Sequence, residues 1–181
     1  MTLPFIGVLA LQGGVEPHLQ LLRQCGFEAR PVRSAEALLV ADGLVLPGGE
    51  STAQRKLLEH GGLASALDAF AASGRPLLAT CAGLIIAATR GYLDVEVERN
   101  AYGPQLNSCE ALLDDGVHRM TFIRAPAIRR VGAQVYVLAT LHDEPVAVRQ
   151  GHVIATNGHP ELTADAWLHE LAFRPPVPRP A

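Results

Sequence analysis

The feature that most constrains this chain is an alternation: short β-rich apolar runs are followed repeatedly by segments whose apolar residues recur at helical spacing. Both kinds of segment must bury an apolar face. Strands separated by helices do so by pairing in parallel, with the helices packed on the sheet. The predicted fold class is therefore α/β, a mostly parallel central sheet flanked by helices. Phe5 to Leu11 reads as a buried first strand. Val15 to Cys25 carries Val15, Leu19, Leu22 and Cys25 on one helical face, and Gly26 stands where a left-handed cap ends a helix. Strands follow at Glu28 to Val32 and Gly43 to Leu46. The second is stopped by Pro47-Gly48-Gly49, after which Ser51 or Thr52 is suited to cap a helix reaching about Leu58. A further helix fits Ala64 to Ala72.

The next strand, Pro76 to Thr80, runs straight into Cys81-Ala82-Gly83 and a helical Leu84 to Thr89. From Asp94 to Val153 the pattern changes to short strands, at Val95 to Glu98, Met120 to Ile123, Val135 to Thr140 and Val146 to Val148. These read as antiparallel or edge additions. Ala155 to Glu161 then leads into a last helix, Ala164 to Phe173. The proline-rich end cannot be helical and is expected to be extended. The expected organisation is one domain over residues 1–173 and a tail over 174–181, within the size range of a single core.

Composition removes several functions. Charged residues make up 18% of the chain and the net charge is −3, which suits neither a disordered chain nor a phosphate-neutralising surface, so nucleic-acid binding is not expected. No apolar stretch approaches the ~18 residues that span a bilayer, so no membrane association is expected. Cys25, Cys81 and Cys109 are odd in number and widely spaced, without a CxxC pair, which fits a reducing compartment. The seven histidines lack metal-ligand spacing, and no metal is expected. A soluble, cytoplasmic protein is the expectation.

Chemistry concentrates at three places. Ala79-Thr80-Cys81-Ala82-Gly83 puts a thiol between a strand end and a helix start, in the manner of a nucleophile elbow. Small neighbours suit a strained turn and a helix packed close on a strand. The helix N-terminus favours thiolate and can bind a developing oxyanion. On these residues alone a buried structural cysteine is an equal reading. His159-Pro160-Glu161 supplies an imidazole with a carboxylate two residues on. Proline disfavours helix at His159, and in an extended segment both side chains point to one side. That gives the nucleophile, base and orienter of acyl transfer, although a bare tripeptide of this kind also serves as a turn before a helix. Pro47-Gly48-Gly49-Glu50-Ser51-Thr52 is a glycine turn at a strand's carboxyl end, where open α/β sheets bind ligands, and its amides can complete an oxyanion hole. It lacks the glycine spacing and lysine of a phosphate-binding loop.

Taken together, Gly7-Val8-Leu9-Ala10-Leu11-Gln12-Gly13, Leu46 through Thr52, Thr80 through Ile85, Glu98-Arg99-Asn100-Ala101-Tyr102-Gly103, Phe122-Ile123-Arg124-Ala125-Pro126 and His159 through Thr163 resemble, in order, the signatures of the glutaminase subunits of pyridoxal 5′-phosphate synthase, within the class I amidotransferases. The resemblance covers nearly the whole chain and implies a flavodoxin-like class I glutaminase fold. It implies that Cys81 is nucleophile, His159 base and acid, and Glu161 its orienter, with L-glutamine as substrate. Gly48, Gly49 and Glu50 would contact glutamine, Arg99 would pair with its α-carboxylate, and Ile123 and Arg124 would line the pocket. The amides of Gly49 and Ala82 would form the oxyanion hole. No cofactor is implied. The partner implied is a synthase subunit that uses the ammonia to build the vitamin B6 coenzyme, and whose docking completes the oxyanion hole.

Four positions depart from the family pattern: Ala79 for glycine, Pro104 for arginine, Cys109 for phenylalanine and Gly158 for an aromatic residue. Gly158 is expected to matter most, by loosening the base beside it. Two other functions fit less of the sequence: a class I amidotransferase with another acceptor, and a subunit that kept the fold without the activity. His18, His60, His118, His142, His152 and His169 belong to no motif and read as surface or internally satisfied residues, with His18 a weaker candidate for a partner contact.

Overall fold

The computed structural model describes residues 5–99, 101, 109–163 and 165–174. The chain runs β1 (Phe5–Leu9), α1 (Val15–Gln24), β2 (Glu28–Val32), α2 (Ala35–Leu39), β3 (Gly43–Leu46), α3 (Ser51–Leu58), α4 (Leu63–Ala72), β4 (Leu77–Thr80) and α5 (Ala82–Thr89). It continues through β5 (Val95–Glu98), β6 (Cys109–Leu112), β7 (Arg119–Phe122), β8 (Ala127–Val131), β9 (Tyr136–Leu141), β10 (Glu144–Gln150) and β11 (Val153–Thr156). A 3₁₀ turn at Pro160–Leu162 then leads to α6 (Trp167–Phe173).

Seven strands form one sheet in the order β2-β1-β3-β4-β11-β10-β9. The pairs β1–β2, β1–β3, β3–β4 and β4–β11 are parallel, while β10 pairs antiparallel with β11 and β9. Two antiparallel ribbons, β5–β8 and β6–β7, stand apart from it. The period-2 alternation of the central strands explains how the sheet is covered on both sides. Leu44, Leu46, Leu77 and Ala79 share one core cluster with Leu58, Leu67, Phe70 and Leu84 of α3 to α5. Ile6, Val8, Val45, Leu78 and Ile154 point the other way, to Leu19 and Leu22 of α1 and Leu168 and Phe173 of α6. Each such fully buried side chain contributes about 1.5–3 kcal/mol.

The topology places the site. From β1 the chain goes one way to β2, then crosses back over β1 to β3, so the order reverses at β1. In open α/β sheets the crevice at the carboxyl ends beside such a reversal is where ligands bind. Gln12, Pro47-Gly48-Gly49, Cys81 and His159 all follow the carboxyl ends of parallel strands.

The expected fold class is the one observed, with specific differences. The first strand ends at Leu9, and the last helix begins at Trp167. Helix α2, strands β6 and β8, and β11 as a buried parallel strand were not anticipated. These elements are four or five residues long, too short to show a period. The expected strands near Val95 and Met120 lie in the small ribbons and not on the edge of the main sheet. Pro104 and the tail beyond Arg174 lie outside the described residues.

Candidate active site

The loops after β1 and β3 are knitted together. Gly14 N donates to Gly48 O at 3.1 Å, Glu50 N donates to the Gln12 side-chain oxygen at 2.6 Å, and the buried Gln54 amide donates to Gln12 O and Pro47 O. Beside them sits Cys81, with φ 47° and ψ −102°. A non-glycine residue in this region costs about 1–3 kcal/mol and persists only where its surroundings hold it. Here Cys81 N donates to Thr156 O at 2.9 Å, tying the turn to β11. A Cβ on Gly83 would overlap the Leu46 carbonyl, so α5 packs directly on β3. The first turn of α5 has no side-chain cap, which leaves its N–H groups at the positive end of the dipole available to an anion.

His159 arrives from β11. Its N–H donates to Thr121 O at 2.7 Å, and its Nδ1 lies 2.8 Å from Glu161 Oε1. The segment is not extended through Glu161 as expected, because Pro160 opens a 3₁₀ turn. The fixed φ of proline suits the first position of such a turn as well as an extended strand, and the turn still brings the carboxylate to the ring. Burial opposes protonation of His159. Hydrogen bonds with Cys81 and Glu161, and the charges behind them, outweigh that and push its pKa up to about 10. With Nδ1 held by Glu161, Nε2 is the nitrogen left for the thiol. Gly48 is buried, and a Cβ there would run into the His159 ring, with the Cys81 Cβ at 3.3 Å. The nucleophile and base are therefore packed through a space that only glycine leaves.

Gly158, beside the base, is closely packed. A Cβ there would overlap the buried Met120 sulfur, which fills the space beside the residue. Gly158 N donates to Thr156 Oγ1 at 3.2 Å, and His159 forms a bridge with Thr121. Ala79 is fully buried in β4, and Cys109 is exposed on β6.

A cleft of about 380 Å³ opens over Cys81 and His159, lined also by Gln12, Gly49, Glu50, Ser51, Ala82, Ile85, Arg99, Ile123, Arg124 and Pro126. Of the residues expected to bind glutamine, all but the buried Gly48 line it. Arg99 reaches Thr52 Oγ1 at 3.3 Å and Glu50 Oε1 at 3.7 Å. Arg124 has φ 46°, a second strained residue at the same cleft. Glu50 corrects an expectation: it, and not Ser51 or Thr52, caps α3, accepting from Thr52 N at 3.0 Å and Ala53 N at 2.7 Å. Those backbone bonds lower its pKa and keep it a carboxylate.

Over residues 8–175 the sequence matches the profile of the SNO glutamine amidotransferase family. The chain belongs to that family. Among curated relatives, a Shouchella clausii protein named "Pyridoxal 5'-phosphate synthase subunit PdxT" is 48% identical, covering 93% of both chains. A Halobacterium salinarum protein of the same name is 46% identical over 92% of both. A solved structure described as a glutamine amidotransferase superposes with a TM-score of 0.85 at 43% identity, covering 92% of this chain and 96% of the other. The solved structure of PurLQS from Thermotoga maritima shares the fold at a TM-score of 0.67 with 16% identity, over 92% of both chains.

Two histidines of this amidotransferase, read from the sequence as surface or internally satisfied residues, lie inside the protein behind Glu161. His18 and His169 are fully buried and bonded to each other, and His18 stands 3.4 Å from Glu161 Oε2. As a partner contact His18 is ruled out by its burial. Its signal was present: Val15, His18, Leu19 and Leu22 complete one helical face. Among the described residues no group of three or more His, Cys, Asp or Glu side chains is arranged for a metal ion, and no helix is long and apolar enough to cross a membrane.

Proposed function

We propose that Cys81, His159 and Glu161 are the catalytic triad of a glutaminase that hydrolyses L-glutamine to L-glutamate and ammonia. The observation that carries this reading is the strained Cys81 turn at an open helix N-terminus, facing across one cleft a histidine whose Nδ1 is held 2.8 Å from a buried carboxylate. The Cys81 thiolate attacks the side-chain amide carbon, and the amides of Ala82 and Gly49 receive the oxyanion. His159, favoured as imidazolium, protonates the leaving ammonia, and then as base activates the water that hydrolyses the γ-glutamyl thioester. Arg99 and Arg124 suit the substrate α-carboxylate and Glu50 its ammonium, with Ile123 against the aliphatic stem. Residues 1–173 form the glutaminase domain and 174–181 a tail.

The ammonia passes to a synthase subunit for pyridoxal 5′-phosphate assembly. That partner is supported by relatives named as subunits of this synthase at 46–48% identity over nine-tenths of the chain. A cytoplasmic setting accompanies the assignment. The test is glutamate release from glutamine by the chain alone and with the synthase subunit, beside a Cys81→Ala control. Turnover that rises with the synthase and drops by at least about 1000-fold in the control is expected. A control that turns over glutamine like the parent would sink the proposal.

A further inference from the structure

The two faces of the sheet meet the site differently. Thr80 has the parity of Leu78 in β4 and so looks toward α1 and α6, the face away from α5. On that face His18 of α1 places Nδ1 2.8 Å from His169 Nε2 and Nε2 3.2 Å from Thr80 Oγ1. The same His18 Nε2 is 3.4 Å from Oε2 of Glu161, the carboxylate whose Oε1 holds His159. Oε2 is buried and has no hydrogen bond of ordinary geometry. With Oε2 unheld, the contact of Oε1 with His159 alone would set the terminal torsion of Glu161, which has only a shallow preference of its own. Every degree it turns moves Oε1 off His159.

We propose that His18, backed by His169, is a positioning residue for Glu161: its Nε2–H steers Oε2, so that Oε1 stays on His159 Nδ1. The inference rests on the triad reading given above. The hydrogen-bond arithmetic selects one arrangement of protons. An ionised carboxylate only accepts, so the hydrogen facing it, shared with Thr80 Oγ1, sits on His18 Nε2. Nδ1 of a neutral His18 is then bare and accepts from His169 Nε2–H. That leaves His169 Nδ1 bare, and this buried atom has no partner. The opposite tautomers would set two lone pairs against each other at Glu161 and strand a buried N–H donor on His169, the costlier orphan. Burial, then the neighbouring His169 and His159, holds His18 uncharged, and burial drops His169 to a pKa of about 3. The pair therefore orients the carboxylate without competing with His159 for its charge.

The experiment compares the parent chain, His18→Leu, His18→Gln and Cys81→Ala, each assembled with the synthase subunit, by kcat and KM for glutamine well below the melting temperature. His18→Leu is expected to lower kcat by about 10- to 100-fold with KM within about threefold, the signature of misplaced catalytic groups, not of lost binding. His18→Gln, whose amide can donate from the place of Nε2, is expected to restore most of kcat. Nitrogen-15 NMR of the His18 ring in the parent chain should report a neutral ring with the proton on Nε2. A folded His18→Leu with parental kcat overturns the proposal, as does a His18 protonated on Nδ1 alone or on both nitrogens. If His18→Leu does not fold, the tautomer and the His18→Gln kinetics decide it. Parental turnover in Cys81→Ala would instead remove the triad reading, an outcome in which His18 plays no part.

Discussion

Cys81 and His159 face each other across one cleft, but they are held in opposite ways. Cys81 is held by its own backbone: a turn with φ 47°, squeezed between the end of β4 and a helix whose Gly83 touches the Leu46 carbonyl. His159 is held by side chains and strands from elsewhere, with Thr121 O on its N–H, Glu161 on its ring and Met120 packed behind Gly158. A nucleophile needs only one fixed atom at a helix end. A base that both takes and returns a proton needs its ring plane and tautomer fixed as well, and that takes groups from several elements.

Among substitutions that keep both Cys81 and His159, the largest expected effect comes from breaking the point where the two halves touch. Gly48→Val places a branched side chain against the His159 ring and the Cys81 Cβ. It should lower kcat for glutamine by on the order of 100-fold while the far-ultraviolet circular dichroism is kept. Turnover within a factor of a few of the parent would mean that the pair does not need this space.

Next in size is the support behind the base. Gly158→Ala should destabilise the protein by about 1–3 kcal/mol in urea unfolding, because its Cβ overlaps Met120. Adding Met120→Ala should recover part of that loss, since the two changes share one space. Strictly additive effects would show that Met120 is not what fills the place of the missing aromatic ring.

The smallest effect is a pH dependence that sharpens the contrast between the histidines. The raised pKa of His159, about 10 against 6.5 unfolded, means that its contribution to stability is complete below about pH 6.5 and is lost as pH rises toward 10. For His18 and His169 the folded values are lowered, so their contribution is present above about pH 6.5 and is lost as pH falls. Melting temperature against pH should therefore lose part of its alkaline slope in Glu161→Gln, since Cys81 also raises the His159 pKa, and part of its acid slope in His169→Leu. A profile that both substitutions leave unchanged would mean that neither group is held as described.

Much of this was legible in the residues. The alternation of short strands and helical faces specified the fold class, since a strand apolar on both faces has few places to go but the middle of a parallel sheet, and the cysteine elbow and glycine turn were readable because their geometry is local. What only the tertiary structure decided was everything that depends on two elements meeting. Glu50, and not its hydroxyl neighbours, caps α3, because Gln12 of another loop holds its amide. The space that a side chain at Gly158 would take is filled by Met120, far off in the sequence. His18 and His169, 151 positions apart, became a pair because α1 and α6 cover the same face of the sheet. Periodicity can say which residues turn inward, but the partner an inward polar group finds is set by long-range packing, which no local pattern encodes.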